Sequence, residues 1–388
     1  MLKAIVFGRF ETGLGILRSL KDLGNNLYSV DYKEDVAFVS KYGHKLICPK
    51  PTDDQALISW LKEQFPDGGK VFISSDDFLD FFNRNREQLS FLDLEIPDAE
   101  LLSSLQDKFF QYEVCVENDI NTPSTFKVTE DLDKDSLPYP VFLKGLEVNA
   151  WRKHYGGSLK GFVINDQLEM EEWMNENPYK TVPTIAQSLI IGPDENHYKY
   201  CAFRNRKGEI QAEFMLQKLV QYPIGFGIGA ATKSIFSEEL LKQGRALFNS
   251  INYLGVGSAE FKLDNSDGKL KLIELNPRYW QQNYQATACG LNFPLIQYQS
   301  VDESVDTSKT YITDLVWMNR AMVARALSHY LKKGLGHFRS RIKILNGRSK
   351  IYSHYHPQDK KPFYKEIQYG LIFFKLPWVL LKDFMLSK

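Results

Sequence analysis

The chain has 388 residues, of which 43% are hydrophobic and 25% charged, which predicts two or three packed domains of ordinary globular composition. Its four cysteines form no CxxC pair, and no stretch of 18 uncharged apolar residues occurs, which argues against a zinc site, a disulfide framework and a membrane span. The net charge is zero, but residues 309 to 388 carry 16 Lys and Arg against 4 Asp and Glu, or +12, which leaves −12 for residues 1 to 308.

The first hundred residues predict a doubly wound α/β domain. Residues 3 to 8 (KAIVFG) and 27 to 31 (LYSVD) read as buried strands, and residues 13 to 23 between them read as an amphipathic helix. A further strand, VFISS, is followed by a helix whose first turn carries Asp76 and Asp77. Carboxylates at that place are more often helix caps than ligands.

A second region begins near residue 105, where a helix over DKFFQYEVCVEND ends before Pro123 and short strands follow. Lys144 stands at the end of the apolar strand in LPYPVFLKG. The next residues, EVNAWRKHYGGSLKG, are polar and basic and contain the pair Gly156-Gly157. Such a segment predicts either a mobile loop that covers phosphates or a simple turn.

A β-hairpin is predicted from GSAEFKLD (257 to 264) and KLKLIELN (269 to 276), joined by the turn residues NSDG. A three-residue loop with Gly268 in the left-handed conformation pairs Asn265 with Lys269 and therefore Glu260 with Glu274. In that register Glu274 and Asn276 continue the face on which Leu270 and Leu272 lie. A four-residue loop would instead place the two glutamates on opposite faces.

Opposed glutamates repel each other unless something neutralises them. A magnesium ion, which takes one or two carboxylates and leaves positions for phosphate oxygens, would do so. Asn276 adds a carbonyl oxygen, Pro277 ends the strand, and Arg278 is free to face an anion. The alternative is that the hairpin is only a surface feature.

From residue 310 onward the pattern returns to amphipathic helices, beginning with DLVWMNRAMVARALSHYLKK. The basic charge of this segment could face the acidic remainder of the chain, an anionic membrane or lipid-linked substrate, or nucleic acid; we predict no nucleic-acid partner. The last residues, 369 to 388, mix Phe, Leu and Trp with lysines as an interfacial helix does, although Pro377 interrupts them and a core or dimer contact is the alternative. We predict a cytoplasmic protein. The alternative is a cytoplasmic protein that associates peripherally with the inner face of the membrane.

Taken in order, these stretches resemble the ATP-grasp ligases, a superfamily that includes biotin carboxylase and carbamoyl-phosphate synthetase. The resemblance covers roughly residues 1 to 300 and is carried by DKFFQYE, YPVFLK, the glycine-bearing loop, IAQSLIIG, GSAEFKLD and IELNPR. Within the superfamily, IAQSLIIGPDENHYKY and LQKLVQYPIGFGIG are most similar to the D-aspartate ligase-like carboxylate–amine ligases.

The resemblance implies a mixed α/β and α+β fold with four parts. These are a Rossmann-like pre-ATP-grasp domain (residues 1 to 105), a small lobe with the phosphate-covering loop (106 to 190), a large lobe with the magnesium site (191 to 308) and a basic, mainly helical C-terminal segment (309 to 388).

For individual residues, the resemblance implies ATP and Mg²⁺ as cofactors, with Mn²⁺ as a substitute. Lys108 and Lys144 would contact the ATP phosphates, and backbone groups of Ser188 and Ile190, in the linker that begins at Gln187, would hold the adenine.

The implied metal ligands are Glu260, Glu274 and Asn276. The implied catalytic residues are Arg278, which would face the acyl phosphate, and Lys218. Because the long polyglycine loop of biotin carboxylase is replaced by RKHYGGSLKG, the lid contact could be Arg152, Lys153 or Lys160.

The implied reaction is a two-step ligation in which a carboxylate attacks the γ-phosphate of ATP and an amine then displaces phosphate to form an amide. Such chemistry needs positioning and charge neutralisation and no nucleophilic side chain. The partners would be a small carboxylate and an amine, drawn from amino acids and cell-envelope or surface-glycan precursors, and an oligomer is compatible with the sequence.

Two other functions remain as alternatives. One is an ATP-grasp module that binds nucleotide without turnover. The other is a nicotinamide-dependent oxidoreductase, because GRFETGLG follows the first strand and Asp31 ends the second. The glycines at positions 8, 13 and 15 do not form GxGxxG, however, and no GxxxxGK[ST] loop occurs.

Overall fold

The structure, a computed structural model, describes residues 2–156, 159–176, 178–300 and 310–373. Three β-sheets organise these residues: a parallel four-stranded sheet, an antiparallel four-stranded sheet and a mixed seven-stranded sheet. The mixed α/β and α+β architecture predicted from the sequence is confirmed.

The N-terminal sheet is parallel, with strand order β3-β2-β1-β4. Its strands are β1 (Ala4–Phe7), β2 (Leu27–Asp31), β3 (His44–Ile47) and β4 (Lys70–Ile73), and its helices are α1 (Phe10–Ser19), α2 (Asp54–Gln64), α3 (Asp76–Arg84) and α4 (Ala99–Gln106). Every residue of β1 and β4 is buried, as expected of parallel strands covered on both faces. The predicted βαβ unit is confirmed, although its helix begins at residue 10 and ends at residue 19 instead of spanning 13 to 23.

The second sheet is antiparallel, with strand order β5-β8-β6-β7. Its strands are β5 (Thr125–Lys127), β6 (Val141–Gly145), β7 (Phe162–Ile164) and β8 (Thr184–Ser188), and its helices are α5 (Lys108–Glu117), α6 (Val148–Tyr155), α7 (Gln167–Asn175) and α8 (Pro178–Thr181). Asp107 caps α5, since its carboxylate accepts from the Phe109 amide at 2.7 Å. Lys108 therefore opens a helix, as the sequence indicated.

The predicted loop after Lys144 is in part a helix. α6 occupies its first half, because Trp151 is buried beside Gly145 and donates its indole N–H to the Leu159 carbonyl at 2.9 Å. Gly156 ends α6 with φ +84°, a conformation that favours glycine. Gly157 lies outside the described residues.

The third sheet has seven strands in the order β13-β12-β9-β10-β11-β14-β15. Its strands are β9 (His197–Arg204), β10 (Ile210–Tyr222), β11 (Ile228–Ile235), β12 (Gly255–Leu263), β13 (Leu270–Asn276), β14 (Val316–Met318) and β15 (Lys350–Tyr352). The helices of this part of the chain are α9 (Glu238–Ser250), α10 (Asn283–Ala288), α11 (Phe293–Gln299), α12 (Arg320–Lys332), α13 (Leu335–Leu345) and α14 (Lys361–Phe373).

The stretch from residue 314 to 333 is not helical throughout, contrary to the sequence prediction. Val316–Met318 pairs with β11, where a β-branched and an aromatic residue suit a buried strand. Asn319 then caps α12 by accepting from the Met322 amide at 3.1 Å. The segment after residue 309 thus extends the large sheet, while the proposed boundary at 308 stays a prediction.

The C-terminal segment also packs against the N-terminal domain through a buried ion pair. Arg18 of α1 donates to Asp359 Oδ2 at 3.1 Å and to the Ser353 carbonyl at 2.8 Å, and both charged side chains are almost fully buried. Further pairs join Arg341 to Glu195 at 2.5 Å and Arg348 to Asp314 at 3.0 Å. Part of the basic charge is therefore neutralised within the chain.

We expect Arg18→Ala to lower the free energy of unfolding by about 3–5 kcal/mol, because Asp359 would stay buried without its counter-charge. Urea denaturation measures the change. Lys21→Ala, which removes a cation whose Nζ lies 3.5 Å from Gln358 Oε1 at the surface, is the matched control and should cost well under ~1 kcal/mol. Equal losses in the two variants would contradict the assigned role of the buried pair.

Candidate active site

The two glutamates of the hairpin face each other. Glu260 on β12 is the direct register partner of Glu274 on β13, as predicted. The predicted three-residue loop is wrong, however: the Asp264 amide donates to the Lys269 carbonyl at 2.9 Å, which leaves four residues in the turn. Gly268 has φ +72°, the left-handed conformation that was expected.

A β-bulge restores the glutamate register. Near the turn Leu263 pairs with Leu270, a register that would place Glu274 across from Ala259, but the register shifts by one residue between Glu260 and Phe261. The extra residue is Ile273, and such an insertion re-aims the side chains that follow it. On the outer edge of β13, the amides around the bulge are satisfied by groups outside the sheet. The Leu272 amide donates to the Asn121 carbonyl and the Leu275 amide donates to Gln111 Oε1, both at 2.8 Å.

Because of the bulge, the side chains of β13 do not lie on the faces predicted from the sequence. Leu270, Leu272 and Leu275 pack in one hydrophobic cluster, whereas Glu274 and Asn276 line a cavity on the other face. Without the bulge, strict alternation would have put Glu274 on the same face as Leu270 and Leu272. The bulge therefore separates the polar end of the strand from its apolar start.

Each glutamate is paired with a lysine. Lys199 Nζ lies 2.9 Å from Glu260 Oε1, and Lys108 Nζ lies 2.9 Å from Glu274 Oε1. Burial alone would raise the pKa of Glu260, but Lys199 and Lys218 outweigh it and lower that pKa to about 2. For Glu274, burial and Glu260 favour the neutral form, yet Lys108 holds its pKa below the ordinary value. Both carboxylates are thus ionised at neutral pH.

These glutamates and Asn276 form a donor set suited to magnesium. No group of three or more His, Cys, Asp or Glu side chains able to hold a metal occurs in the part of the chain that the structure describes. The candidate set is instead two carboxylates and one amide. Mg²⁺ prefers such oxygen ligands and commonly takes only one or two carboxylates alongside substrate phosphates. The residues present therefore fit the cation.

Lys144 is a buried cation, with only 8% of its surface exposed. No hydrogen bond or ion pair joins its ammonium group to another described residue. Burial lowers the pKa of Lys144 to about 7, with a further contribution from Lys108. A buried ammonium without a partner is costly, and an anion in the cavity would compensate it.

All of these side chains line one cavity of about 930 Å³. Its walls come from strands of the second and third sheets and from helices of the N-terminal domain. Every candidate site residue predicted from the sequence lines it: Lys108, Lys144, Lys160, Gln187, Ser188, Ile190, Lys218, Glu260, Glu274, Asn276 and Arg278. Of the alternative lid residues, Arg152 also lines the cavity, whereas Lys153 is not among the lining residues. Their individual roles remain predictions.

Some predicted residues already have protein partners. Lys218 Nζ donates to Gln221 Oε1 at 3.1 Å and to the Gly227 carbonyl at 3.3 Å, so it holds the loop that follows β10. Arg278 is paired with Asp76, with Nη2 at 3.2 Å from Oδ2. Asp76 is thus an ion-pair partner, while Ser75 caps α3.

The predicted adenine linker is only partly open. The Ile190 carbonyl accepts from Lys262 Nζ at 2.7 Å, and the Ser188 amide donates to the Ser124 carbonyl at 2.8 Å. Gln187 Nε2 donates to Thr125 Oγ1 at 2.9 Å. The backbone groups left for a purine are the Ile190 amide and the Ser188 carbonyl.

Sequence reasoning missed Lys199, the partner of Glu260. Lys199 is directly across from Glu260 in the β9–β12 register, so pairing HYKYCAFR with GSAEFKLD would have found it. The aromatic contact between Phe142 and Phe226, whose rings stack at 4.6 Å, was missed as well, because it joins β6 to the turn between β10 and β11, which is distant in sequence.

Solved structures with related folds cover most of the chain. An L-amino acid ligase from Bacillus licheniformis aligns with a TM-score of 0.60 and 17% identity over 81% of this chain and 78% of that protein. The biotin carboxylase domain of Hydrogenobacter thermophilus 2-oxoglutarate carboxylase, solved with MgADP, aligns with a TM-score of 0.61 and 15% identity over 81% and 73% of the two chains. An N5-carboxyaminoimidazole synthetase from Staphylococcus aureus in complex with ADP gives 0.60 and 17% over 80% and 79%.

The chain has the ATP-grasp fold. The ATP-grasp resemblance predicted from the sequence motifs is thereby confirmed. No family model matches the sequence. In sequence, the chain is similar to the D-aspartate ligase of Enterococcus faecium (strain Aus0004), with 25% identity over 259 residues, which are 62% of this chain and 61% of that protein.

We expect Lys144→Met to stabilise this ATP-grasp protein by on the order of 2 kcal/mol at pH 7. Burial lowers the pKa of Lys144 from 10.5 to about 7, so between those values the unfolded chain binds more protons and wild-type stability rises with pH. The advantage of the variant should therefore shrink as the pH rises from 7 towards 10. Urea denaturation at pH 7 and pH 9.5 measures it.

The control is Lys62→Met, which removes an exposed lysine from α2 and should change stability little at either pH. A loss of stability in Lys144→Met would show instead that the ammonium group makes a stabilising contact in the folded protein.

Proposed function

We propose that the protein is an ATP-dependent carboxylate–amine ligase that forms an amide through an acyl phosphate and releases ADP and phosphate. The observation that carries this proposal is the combination of two opposed, ionised glutamates with a buried lysine that has no partner among the described residues, all in one cavity. Paired acidic groups suit a divalent cation, and the lysine suits a phosphate. Together they fit a magnesium nucleotide.

We assign Mg²⁺, with Mn²⁺ as a substitute, to Glu260, Glu274 and Asn276. Bound MgATP supplies the phosphoryl group that activates the substrate carboxylate. Lys108 and Lys144 neutralise phosphate charge, and Arg278 is positioned by Asp76 beside the metal ligands. Catalysis of this kind rests on positioning and charge compensation.

Elements of both lobes border the cavity and could shield a reactive intermediate from water. The loop after β10 is held by Lys218 at Gly227 and reaches the small lobe through the Phe226–Phe142 stack. Arg152 and Lys160 line the cavity from the α6 side. Shielding the acyl phosphate from water at this place would favour attack by an amine over hydrolysis.

The names of related proteins suggest the substrates. The sequence relative is a D-aspartate ligase and one structural relative is an L-amino acid ligase, which supports an amino acid as one reactant. We further propose a cell-envelope or surface-glycan precursor as the other reactant and the cytoplasm as the location. A non-catalytic nucleotide-binding module is the second candidate, and turnover distinguishes the two.

We predict that the purified protein releases ADP from MgATP when supplied with pools of L- and D-amino acids, dicarboxylates and amines. Glu274→Gln should lower that rate by at least ~10³-fold, about 4 kcal/mol in transition-state stabilisation. It should lower the melting temperature only slightly, because it removes the ion pair with Lys108 together with the repulsion from Glu260. Coupled ADP detection and calorimetry measure the two effects.

Glu117→Gln, at an exposed position of α5, is the matched control and should leave both quantities unchanged. Tight MgATP binding without ADP release for any pool would favour the non-catalytic module. Wild-type turnover in Glu274→Gln would refute the metal assignment.

We also propose that the C-terminal segment brings the protein to anionic lipid. Residues 315 to 358 contain nine Lys and Arg and no Asp or Glu. Although Arg341 and Arg348 are paired, Lys332, Lys333 and Arg339 are exposed near the exposed side chains of Leu331 and Leu335. Exposed basic and apolar side chains that alternate along helices are typical of interfacial binding. No helix in the described ranges is long and apolar enough to cross a membrane.

The sequence also predicted an interfacial segment at residues 369 to 388. These residues lie largely outside the described ranges, and no side chain there is described. We expect the full chain to sediment with phosphatidylserine vesicles, and the triple variant Lys332→Glu, Lys333→Glu, Arg339→Glu to lose at least ~10-fold in binding, since each basic residue contributes about 1 kcal/mol at such a surface.

The matched control reverses three exposed lysines elsewhere, at positions 50, 62 and 242, and carries the same net charge. Equal loss in both triple variants would indicate a net-charge effect only, and no binding by wild type, with or without residues 369 to 388, would remove the lipid proposal.

A further inference from the structure

Phe10, the first residue of α1, has a backbone conformation that bulky residues rarely adopt. Its φ is +58°, in the left-handed region that favours glycine. The other non-glycine residues with positive φ in the described ranges are Asp119, Asn252 and Asp314, whose short polar side chains tolerate it better. Strain of this kind persists only where the surrounding structure holds it, and it is concentrated at functional sites.

Buried and stacked contacts hold Phe10 in this conformation. The Phe10 amide donates to Asp35 Oδ2 at 2.8 Å, and the other oxygen of this buried carboxylate accepts from the Ala37 amide at 2.8 Å. The Arg9 guanidinium lies over the Phe10 ring, 5.0 Å from its centroid, and over the Tyr32 ring at 4.9 Å. Both the backbone and the ring of Phe10 are therefore fixed.

The side chain of Phe10 is held at the cavity and not in the hydrophobic core. Phe10 is 53% exposed and lines the cavity that contains the two glutamates. Because half of its surface stays in contact with solvent, burial of the ring does little to offset the strained backbone. A ligand that covers the ring would supply the missing burial.

Two further apolar side chains line the same cavity with accessible surface. Ile228, the first residue of β11, is 49% exposed, and Met322 in the first turn of α12 is partly exposed. Large apolar side chains left open in a cavity are typical of ligand contacts. Phe10, Ile228 and Met322 are not among the residues assigned above to the nucleotide or the metal.

Asn319, the N-cap of α12, brings these three apolar side chains to one side of the cavity. Its Nδ2 donates to Glu11 Oε1 at 2.6 Å, and its amide donates to the Ala230 carbonyl at 2.8 Å. Its Oδ1 accepts from the Met322 amide at 3.1 Å. Each of the three apolar residues is therefore a direct partner of Asn319 or lies within two positions of one.

The chemistry of the three side chains defines what they bind. A phenyl ring stacks on flat groups, a branched isoleucine packs against them, and a flexible methionine adapts to their shape. Covering this surface with an apolar group removes apolar area from water on both partners. A polar group of the same size would lose water there without gaining a hydrogen bond from these side chains.

We propose that Phe10, Ile228 and Met322 form an apolar subsite that takes a bulky aromatic or branched aliphatic group of one reactant of the ligation. The inference rests on the proposed ligase function and adds to it the residues and the chemistry that select this reactant. The apolar group belongs either to the amine or to the carboxylate, and binding of probes from each class distinguishes the two.

Calorimetric binding to the full chain, with Mg²⁺ and a non-hydrolysable ATP analogue, tests the subsite without turnover. The amine probes are phenethylamine, isoamylamine and ethanolamine, and the carboxylate probes are hydrocinnamate, isocaproate and glycolate. We expect an apolar probe of one class to bind at least ~10-fold more tightly than the polar probe of the same charge. The class that shows this preference identifies the reactant that carries the apolar group.

Phe10→Gly should weaken binding of that probe by ~10-fold and leave the affinity for the nucleotide analogue unchanged. Its melting temperature should change little, because glycine relieves the positive φ while the ring that is lost is half-exposed. Asp119→Gly is the matched control. Asp119 is exposed, has φ +54° and does not line the cavity, so the same relief should leave probe binding unchanged.

Ile228→Thr tests a second member of the subsite and keeps a β-branched residue in the strand. It should also weaken the apolar probe, with little change in melting temperature. Ile47→Thr is its matched control, because Ile47 is a half-exposed isoleucine of β3 that does not line the cavity. This control should bind the probe as the wild type does.

The outcomes separate the subsite from the ligase proposal. Apolar binding that depends on Phe10 and Ile228 without ADP release from any reactant pool would support the subsite and refute the ligase. ADP release with a reactant whose binding is indifferent to both variants would retain the ligase and overturn the subsite. Equal or tighter binding of the polar probes would also overturn it.

A second copy of the chain is the other occupant that could cover this apolar surface. Light scattering of wild type and Phe10→Gly tests it. Loss of a dimer in Phe10→Gly, with probe binding unchanged, would assign the surface to an interface between copies and overturn the subsite. An unchanged oligomeric state together with weakened probe binding is the result that the subsite predicts.

Discussion

The candidate active site depends on two like charges held opposite each other across a β-ladder. Glu260 and Glu274 are direct register partners, and their repulsion is offset by Lys199 and Lys108 at 2.9 Å each. The two adjacent ion pairs form a polar surface with no net charge at the base of the cavity. A divalent cation can bind there by replacing the lysines as the partner of the two carboxylates. The bulge at Ile273 is the local device that makes this surface, because it turns the end of β13 from the hydrophobic core to the cavity.

Because these charged groups are buried, their electrostatic interactions are strong and leaving them without a partner is costly. Lys144 lies in the cavity wall and has no ionic partner in the part of the chain that the structure describes, and its lowered pKa reflects the cost of that position. An anion bound in the cavity would compensate this cost.

The sequence predicted the doubly wound first domain, the hairpin, the Glu260–Glu274 pairing and the residues of one cavity, because these rest on short periodic segments and on a specific set of motifs. The pairing was correct although the loop length was wrong, since the four-residue turn and the bulge offset each other. A bulge depends on what the strand edge meets, here the Asn121 carbonyl and Gln111, and no local pattern encodes that contact.

Features that join distant parts of the chain were not predictable in this way. The strand Val316–Met318 looks like the start of a helix until the open edge of β11 is known. Lys199 becomes a partner of Glu260 only through the β9–β12 pairing. The side of the cavity that contains Phe10 and Met322 brings together residues about three hundred positions apart, so tertiary packing decides it.

A crystal structure with Mn²⁺ and a non-hydrolysable ATP analogue, with the metal placed by its anomalous signal, tests the central claim most directly. The account predicts manganese bound between the carboxylates of Glu260 and Glu274 within reach of Asn276, with phosphate oxygens completing its coordination and Lys144 Nζ on a phosphate. Nucleotide bound elsewhere, or no metal between two glutamates that remain paired with Lys199 and Lys108, would contradict it.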